Sequence, residues 1–494
     1  MLLLLKAWLQ PFFFFSRQDS INKESLMACS IFNFKPKNKE NGGGEAGFKE
    51  GGVVGRRKGK KGMEEEERGR GCGKKNEALR ITRKNYDFTS FEEKIMVETF
   101  KNSLSKILVH YYPIAGRLCY IEGGRLQLNL NAKGAILVEA ETEKTMNDYG
   151  DFSHFDTIKE LVPMIDYNQP IEEIPNFVVQ LTKFKNNEGF AIGVAFLHPL
   201  SDGSGAIKFI NSWAKIARGE TLEANELPFL DRKLLKFSHT PLEPRFEHLE
   251  LKPLPLILGR KDASEEKEKK TSVTLLKLSS EQVDKLKKKA NEDVLGIQKK
   301  EYSRPYSRFE VISAHIWRCA SKARGLEDNQ ESVIRFIADV RNRMIPPLPK
   351  NYFGNALTQT ATKGYIGEIT SKPLGYVAQK LREATELVND EYIRSQIDVV
   401  RSFEHLDDAR KLFIGEKARY FGNPNFNLTS WLSMPVYEAD FGWGKPNYFG
   451  IADVSPHDRA LILLGPDDDG SVLVSIHFQI AHMELFNKYF YEDI

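Results

Sequence analysis

The sequence predicts a mixed α/β (α+β) protein built in two halves. Three features carry that expectation. Short runs of β-branched and aromatic residues alternate with longer stretches whose apolar residues recur every three or four positions. One run, Phe190–Leu197, is apolar on both faces and so belongs inside a sheet rather than at its edge. A proline-rich, charged connection over 237–271 separates one set of elements from the next. The resulting division is a low-complexity segment over 1–78, a first domain over 79–236, a crossover over 237–271 and a second domain over 272–494.

The first sixteen residues are apolar but interrupted by Lys6, Gln10 and Pro11, with little positive charge ahead and no small-residue cleavage site behind. They are also too short to span a bilayer. A cytoplasmic chain is expected, and a monomer. Residues 35–78 are rich in Gly, Lys, Arg and Glu, with blocks at Arg56–Lys61 and Glu64–Glu67. Such a stretch buries too little apolar surface to offset its ordering entropy, so 1–78 reads as disordered and order is expected from about residue 79. The small net charge of +3 comes from this segment. The body beyond it is slightly acidic and indicates neither a nucleic-acid nor a membrane partner.

Apolar spacing predicts a helix over Phe91–Val109, ended by Pro113 and Gly116. Strands follow at Leu126–Leu130, Ala135–Glu139, Phe177–Phe184 and Phe190–Leu197. In the second half the pattern gives a strand over Ser272–Leu278 and helices over Ser280–Ala290 and Phe309–Arg324. It continues with a strand over Val333–Val340, a helix over Pro373–Leu387, a strand over Val472–Gln479 and a helix around Met483–Tyr491. Cys119 and Cys319 lie in apolar segments and read as reduced core residues. Asp467–Asp469 reads as a turn, because three adjacent carboxylates do not converge on one ion without other ligands; no metal site is expected.

The candidate chemistry begins at His198-Pro-Leu-Ser-Asp-Gly203. His198 continues the face of Phe190, Ile192, Val194 and Phe196; Pro199 stops the strand; and Ser201 or Asp202 caps a helix with apolar Ile207, Ile210, Trp213 and Ala217. A histidine anchored in such a strand-to-helix bend is well placed to act as a general base toward an amine or hydroxyl. A base so placed can activate an acceptor directly, without a Ser or Cys nucleophile. Asp202, four residues on, could orient the imidazole as in a triad, although this bend need not turn the two side chains together.

A second idiosyncratic cluster, Asp440-Phe-Gly-Trp-Gly444, lies far downstream. With the histidine motif it resembles the plant BAHD acyltransferases, and the resemblance runs from about Leu104 to Ile494. It includes Leu104–Leu118, Phe309–Arg318, Asn351-Tyr-Phe-Gly-Asn355, Thr429-Ser-Trp431 and His482–Phe486. The resemblance implies two chloramphenicol-acetyltransferase-like domains around a central solvent channel, with no bound cofactor and an acyl-CoA thioester as co-substrate. It implies His198 as the catalytic base and Asp202 turned away to hold the bend through an arginine, for which Arg341 is the candidate. It also implies that Asp440, Gly442 and Trp443 support the coenzyme A side.

Further segments, among them Pro228–Arg232, Phe421–Asn425 and Gly465–Ser471, are similar to spermidine hydroxycinnamoyl transferases. Family members that use shikimate hold the oxyanion with residues matching Thr429 and Trp431, and the acceptor carboxylate with an arginine where this chain has Glu416. An acid there favours a polyammonium acceptor over a carboxylate. The substrates read from the sequence are therefore hydroxycinnamoyl-CoA and a polyamine, spermidine, with O-acylation of shikimate or quinate as the alternative. One departure stands out. The family opens with a Leu-Ser segment and a strand lining the acceptor side, and neither is evident in residues 1–90. A missing strand would open the active-site wall, and gives an inactive binding protein as the reading from a different class.

Overall fold

The computed structural model describes residues 27–34, 79–83, 91–121, 125–150, 152, 158–235, 244–292, 304–401, 420–451 and 458–494. Its strands and longer helices run β1 (Met27–Phe34), β2 (Leu79–Arg83), α1 (Phe91–His110), β3 (Arg117–Ile121), β4 (Arg125–Asn129), β5 (Ala135–Glu141), β6 (Phe177–Lys183), β7 (Phe190–Leu197) and α2 (Gly203–Ala217). Then come β8 (Thr271–Leu278), α3 (Ser280–Glu292), α4 (Arg308–Arg324), β9 (Glu331–Asp339), β10 (Leu357–Tyr365), α5 (Leu374–Leu387) and α6 (Asp390–Arg401). The chain ends with β11 (Phe426–Ser430), β12 (Tyr448–Ile451), β13 (Arg459–Leu464), β14 (Val472–Gln479) and α7 (Ile480–Glu492).

One six-stranded sheet has the order β12-β1-β7-β6-β5-β2. β7 lies inside it, antiparallel to both β1 and β6, as its two apolar faces demand. Its Phe190, Ile192, Val194 and Phe196 pack with Phe100 and Leu104 of α1 and with Ile207, Ile210 and Trp213 of α2. On the other face the main chain of Leu161 passes so close to Gly193 that a Cβ there would stand 2.0 Å from the Leu161 carbonyl oxygen. Only glycine fits that crossing.

β1 corrects two expectations. Residues 1–78 are not uniformly without structure, and the sheet does not lack an N-terminal strand. Met27–Phe34 pairs residue for residue with β7, from Met27 opposite Leu197 to Phe34 opposite Phe190, and on its other side with β12. Its sequence, rich in Ile and Phe, suits a strand, and its backbone groups find partners on two sides. The low-complexity segment following it hid the strand. The basic and acidic blocks of 35–78 lie outside the described residues.

The second six-stranded sheet has the order β10-β9-β11-β13-β14-β8. Alternation along β13 divides it cleanly: Ala460 and Ile462 enter a core with α4, α5 and α7, whereas Leu461 and Leu463 join the core of the first sheet. The second sheet is therefore covered by helices on one side and faces the first half on the other. The chain also exchanges material between halves, because β12, from the last fifty residues, is an edge strand of the first sheet. Asp467–Asp469 forms the turn between β13 and β14, with Asp469 Oδ1 accepting from the Ser471 amide at 2.8 Å. Cys319 is buried in α4; Cys119 is only half-buried on β3, which forms a two-stranded sheet with β4, and is not a core residue.

Candidate active site

His198 leaves the end of β7 in a tight turn closed by the Leu200 amide donating to the Leu197 carbonyl at 2.9 Å. The Nδ2 of Asn355 donates to the His198 carbonyl at 2.8 Å, so this turn is tied to the other half of the chain. The imidazole is held below its ordinary pKa of 6.5, first by desolvation and then by the positive charge of Arg459. Its own main-chain carbonyl, the Asp202 carboxylate and the Asn355 amide act in the opposite direction. Near neutral pH the ring is an uncharged base. A hydrogen bond from the ring to the residue's own carbonyl can come only from Nδ1 and would leave Nε2 as the proton acceptor.

Asp202 does not serve the imidazole as a triad acid. Its Oδ1 caps α2 by accepting from the Gly205 amide at 2.9 Å and also accepts from Arg341 Nη2 at 2.9 Å. Its Oδ2 accepts from Arg341 Nη1 at 2.9 Å and from the Ala356 amide at 2.9 Å. Four donors fill the lone-pair sites of the carboxylate. Arg341 in turn donates to Asp339 at 3.0 Å and to the Gly354 carbonyl at 3.0 Å. Although burial alone would lower its pKa, Asp202 and Asp339 raise it above the ordinary arginine value. The pair is buried and fixes where the strand-to-helix bend sits. The segment Tyr352–Ala356 braces both ends of the motif, through Asn355 at His198 and Ala356 at Asp202.

A mostly apolar cleft opens at His198, walled by Val194 and Phe196 of β7, Gly203 and Ile207 of α2, and Trp431. Gly203 lies close to this wall: a Cβ there would stand 3.0 Å from the Trp431 ring and 3.2 Å from Met434. Trp431 is held by its amide donating to Ile462 at 2.8 Å and by its ring stacked on Phe449. Thr429, two residues earlier, is half-buried on β11 and shares the Trp431 face. The structure thus brings His198 and Trp431 to one cleft. Glu416 lies outside the described residues.

The Asp440–Gly444 cluster lies at the far end of α2. Asp440 Oδ1 accepts from the amides of Gly442 and Gly444 at 2.8 and 2.9 Å, and both glycines have φ near +100°. The Asp440 carbonyl accepts from Arg218 just beyond the helix. Phe441 packs at 4.9 Å on Trp213 and on Phe100, and Trp443 stacks on Phe100 at 5.5 Å. This is a packed aromatic turn, separated from His198 by the whole helix. No group of three metal-ligating side chains occurs among the described residues.

Two residues near His198 carried no role in the sequence. Asn355 stood inside a quoted motif, and Arg459 had no local signal at all; only the sheet register reveals it.

Comparison with known proteins agrees with this geometry. A model of the Transferase family matches residues 76–493. The hydroxycinnamoyl-CoA:piscidic acid hydroxycinnamoyltransferase of Actaea racemosa is 45% identical over 403 residues, 81% of this chain and 88% of that protein. The shikimate O-hydroxycinnamoyltransferase of Nicotiana tabacum is 37% identical over 397 residues, 80% of this chain and 88% of that protein. Among solved structures, F. sporotrichioides TRI101 complexed with coenzyme A and T-2 covers 98% of this chain and 96% of its own. Its TM-score is 0.65 at 16% identity, a likeness of fold. The chain therefore belongs to the Transferase family, the plant BAHD acyltransferases, and is an acyltransferase with an acyl-CoA co-substrate.

Proposed function

We propose that the chain moves a hydroxycinnamoyl group from its coenzyme A thioester to a hydroxyl of a small carboxylic acid. The observation that carries this reading is the neutral imidazole at the cleft, with Asp202 committed to Arg341. His198 Nε2 takes the proton of the acceptor hydroxyl as its oxygen adds to the thioester carbonyl. Thr429 and Trp431 are the proposed oxyanion donors. The tetrahedral intermediate collapses, the C–S bond breaks, and the imidazolium returns its proton to the departing thiolate. No acyl-enzyme forms. Asp202 and Arg341 hold the bend, and Asp440, Gly442 and Trp443 keep the coenzyme A side in shape. The two relatives named for hydroxy-acid acceptors support that acceptor class.

A second reading keeps spermidine as the acceptor. It is favoured by Glu416 and by the segments similar to spermidine hydroxycinnamoyl transferases. Among the described residues no helix is long and apolar enough to cross a membrane, and a cytoplasmic monomer completes the proposal. Purified protein mixed with feruloyl-CoA and, in turn, piscidate, shikimate, quinate or spermidine should release free thiol with the acids. Preferential turnover of spermidine would establish the second reading instead. Thiol release by His198→Ala at the unmodified rate would remove the general base from both.

A further inference from the structure

The loop between His198 and α2 is held at alternate carbonyls. That of His198 accepts from Asn355 at 2.8 Å, and that of Asp202 accepts from the Ala206 amide at 2.9 Å. Between them the Leu200 carbonyl accepts from Nη2 of Arg232 at 2.9 Å. Leu200 and Ser201 are 1% and 2% exposed, so the peptide joining them has little access to water. A carbonyl left there without a donor would be destabilising.

Arg232 begins one turn of helix, Arg232–Leu235, in a strap that is fixed on both sides of it. Before it, the Phe229 amide donates to the Asn351 carbonyl at 2.9 Å, and the Phe229 carbonyl accepts from the Phe353 amide at 3.0 Å. After it, Leu235 enters a core with Tyr352 and Ala356. The strap is thus mounted on the segment that also carries Asn355, and from that mount the arginine reaches across to the His198 loop. Among the described residues no carboxylate pairs with it: Asp231 beside it is exposed and accepts from the Lys233 amide at 2.9 Å. Desolvation holds the guanidinium below the ordinary arginine pKa, with Tyr352 acting in the opposite direction, and it remains a cation near neutral pH. A charged donor binds a carbonyl about twice as strongly as a neutral one does.

We propose that Arg232 is a positioning residue, whose bond to the Leu200 carbonyl holds the loop so that His198 faces the acyl acceptor. His198 lies two residues before that carbonyl, in a turn closed by the Leu200 amide itself. Movement of the Leu200 peptide therefore moves the imidazole. A displacement of about 1 Å at a reacting group can cost about a hundredfold in rate. Asn355 and Arg341 hold the two ends of the loop, and Arg232 holds its middle. The proposal rests on His198 as the base and is independent of which acceptor is used.

The test is thiol release from feruloyl-CoA with piscidate, shikimate, quinate and spermidine in turn. It compares the unmodified enzyme with Arg232→Ala, Arg232→Lys, Lys233→Ala and His198→Ala. Arg232→Ala should lower kcat about ten- to a hundredfold, while KM for both substrates stays within about twofold. Guanidinium ion, added far below the concentrations that unfold proteins, should restore part of that loss in Arg232→Ala and none in His198→Ala. Arg232→Lys, which keeps a charged donor, should fall between. Lys233→Ala, on the exposed side of the same turn, should match the unmodified enzyme. A rise in KM in place of the fall in kcat would overturn the proposal by giving Arg232 to a substrate. A loss shared by Lys233→Ala, or one that neither guanidinium nor lysine restores, would reduce Arg232 to part of the packing of the strap. Melting temperatures separate misfolding from displacement of the base, and Arg232→Lys keeps the test alive if the alanine variant does not fold. If no acceptor releases thiol with the unmodified enzyme, or if His198→Ala keeps the full rate, the proposed function itself fails. If His198→Ala is impaired and Arg232→Ala is not, only the role of Arg232 is lost.

Discussion

The two ends of α2 are held by opposite means. At its N-terminus a buried carboxylate and guanidinium, Asp202 and Arg341, lock the cap with bonds of 2.9 Å. At its C-terminus an aromatic cluster, Phe441 and Trp443 against Trp213 and Phe100, grips the helix by packing. Fifteen residues separate the ends, about 22 Å of helix. The charged end lies beside His198 and sets the position of the proposed base. The aromatic end is too far away to touch His198 and secures the helix that follows its turn. The two signature motifs thus grip one element, and only the first carries the proposed base.

Breaking the charged end should do the most damage. Arg341→Ala leaves the Asp202 carboxylate buried without its guanidinium partner, which costs about 3–5 kcal/mol, and lets the His198 turn move. Chemical denaturation should show that loss together with a fall in kcat of at least about a hundredfold in the fraction that remains folded. Phe441→Ala should cost about 3 kcal/mol by opening a cavity beside Trp213, yet kcat of the folded fraction should stay within a few-fold. Similar kcat losses in the two variants would erase the distinction between the ends. Gly203→Ala should have a smaller effect on stability and a specific one on rate. The new methyl meets Trp431 at 3.0 Å, so kcat/KM should drop several-fold while the denaturation midpoint moves little.

The sequence revealed these ends unequally, for physical reasons. β7 and β14 were legible to the residue, because alternation and turn residues define a buried strand locally. Helix bounds drifted by up to three residues: α7 starts at Ile480 rather than Met483, since the strand β14 runs straight into the helix without a cap residue. β10 was not assigned because its polar residues obscure the period, whereas α6 was not assigned although Tyr392, Ile393, Ile397 and Val400 recur at helical spacing. β1 was missed because its pairing is wholly non-local, to residues 190–197 and 448–451. The bend around His198 could be read from its own residues, and Arg341 entered through the family resemblance. Arg459 could not be read at all, since its place depends on the register of β13 beside β11, thirty residues of chain away.

The finest test of the contrast is the pH profile. A general base must be unprotonated, so kcat/KM rises with pH through the pKa of the free enzyme's His198. Desolvation, helped by Arg459, lowers that pKa, which places the acidic limb below pH 6.5. Asn355 acts in the opposite direction, by favouring the charged ring. Removing it in Asn355→Ala should therefore carry the limb to still lower pH, even as the rate falls through loss of the bond to the His198 carbonyl. Asp440→Ala, which frees two glycine amides at the distant end, should cost about 1 kcal/mol of stability and leave the limb where it was. A limb above pH 6.5 would contradict the desolvated imidazole, and one that moves equally in both variants would mean that the far end of α2 reaches the imidazole after all. The aromatic grip would then have to be counted as part of the electrostatics of the site rather than as its mounting.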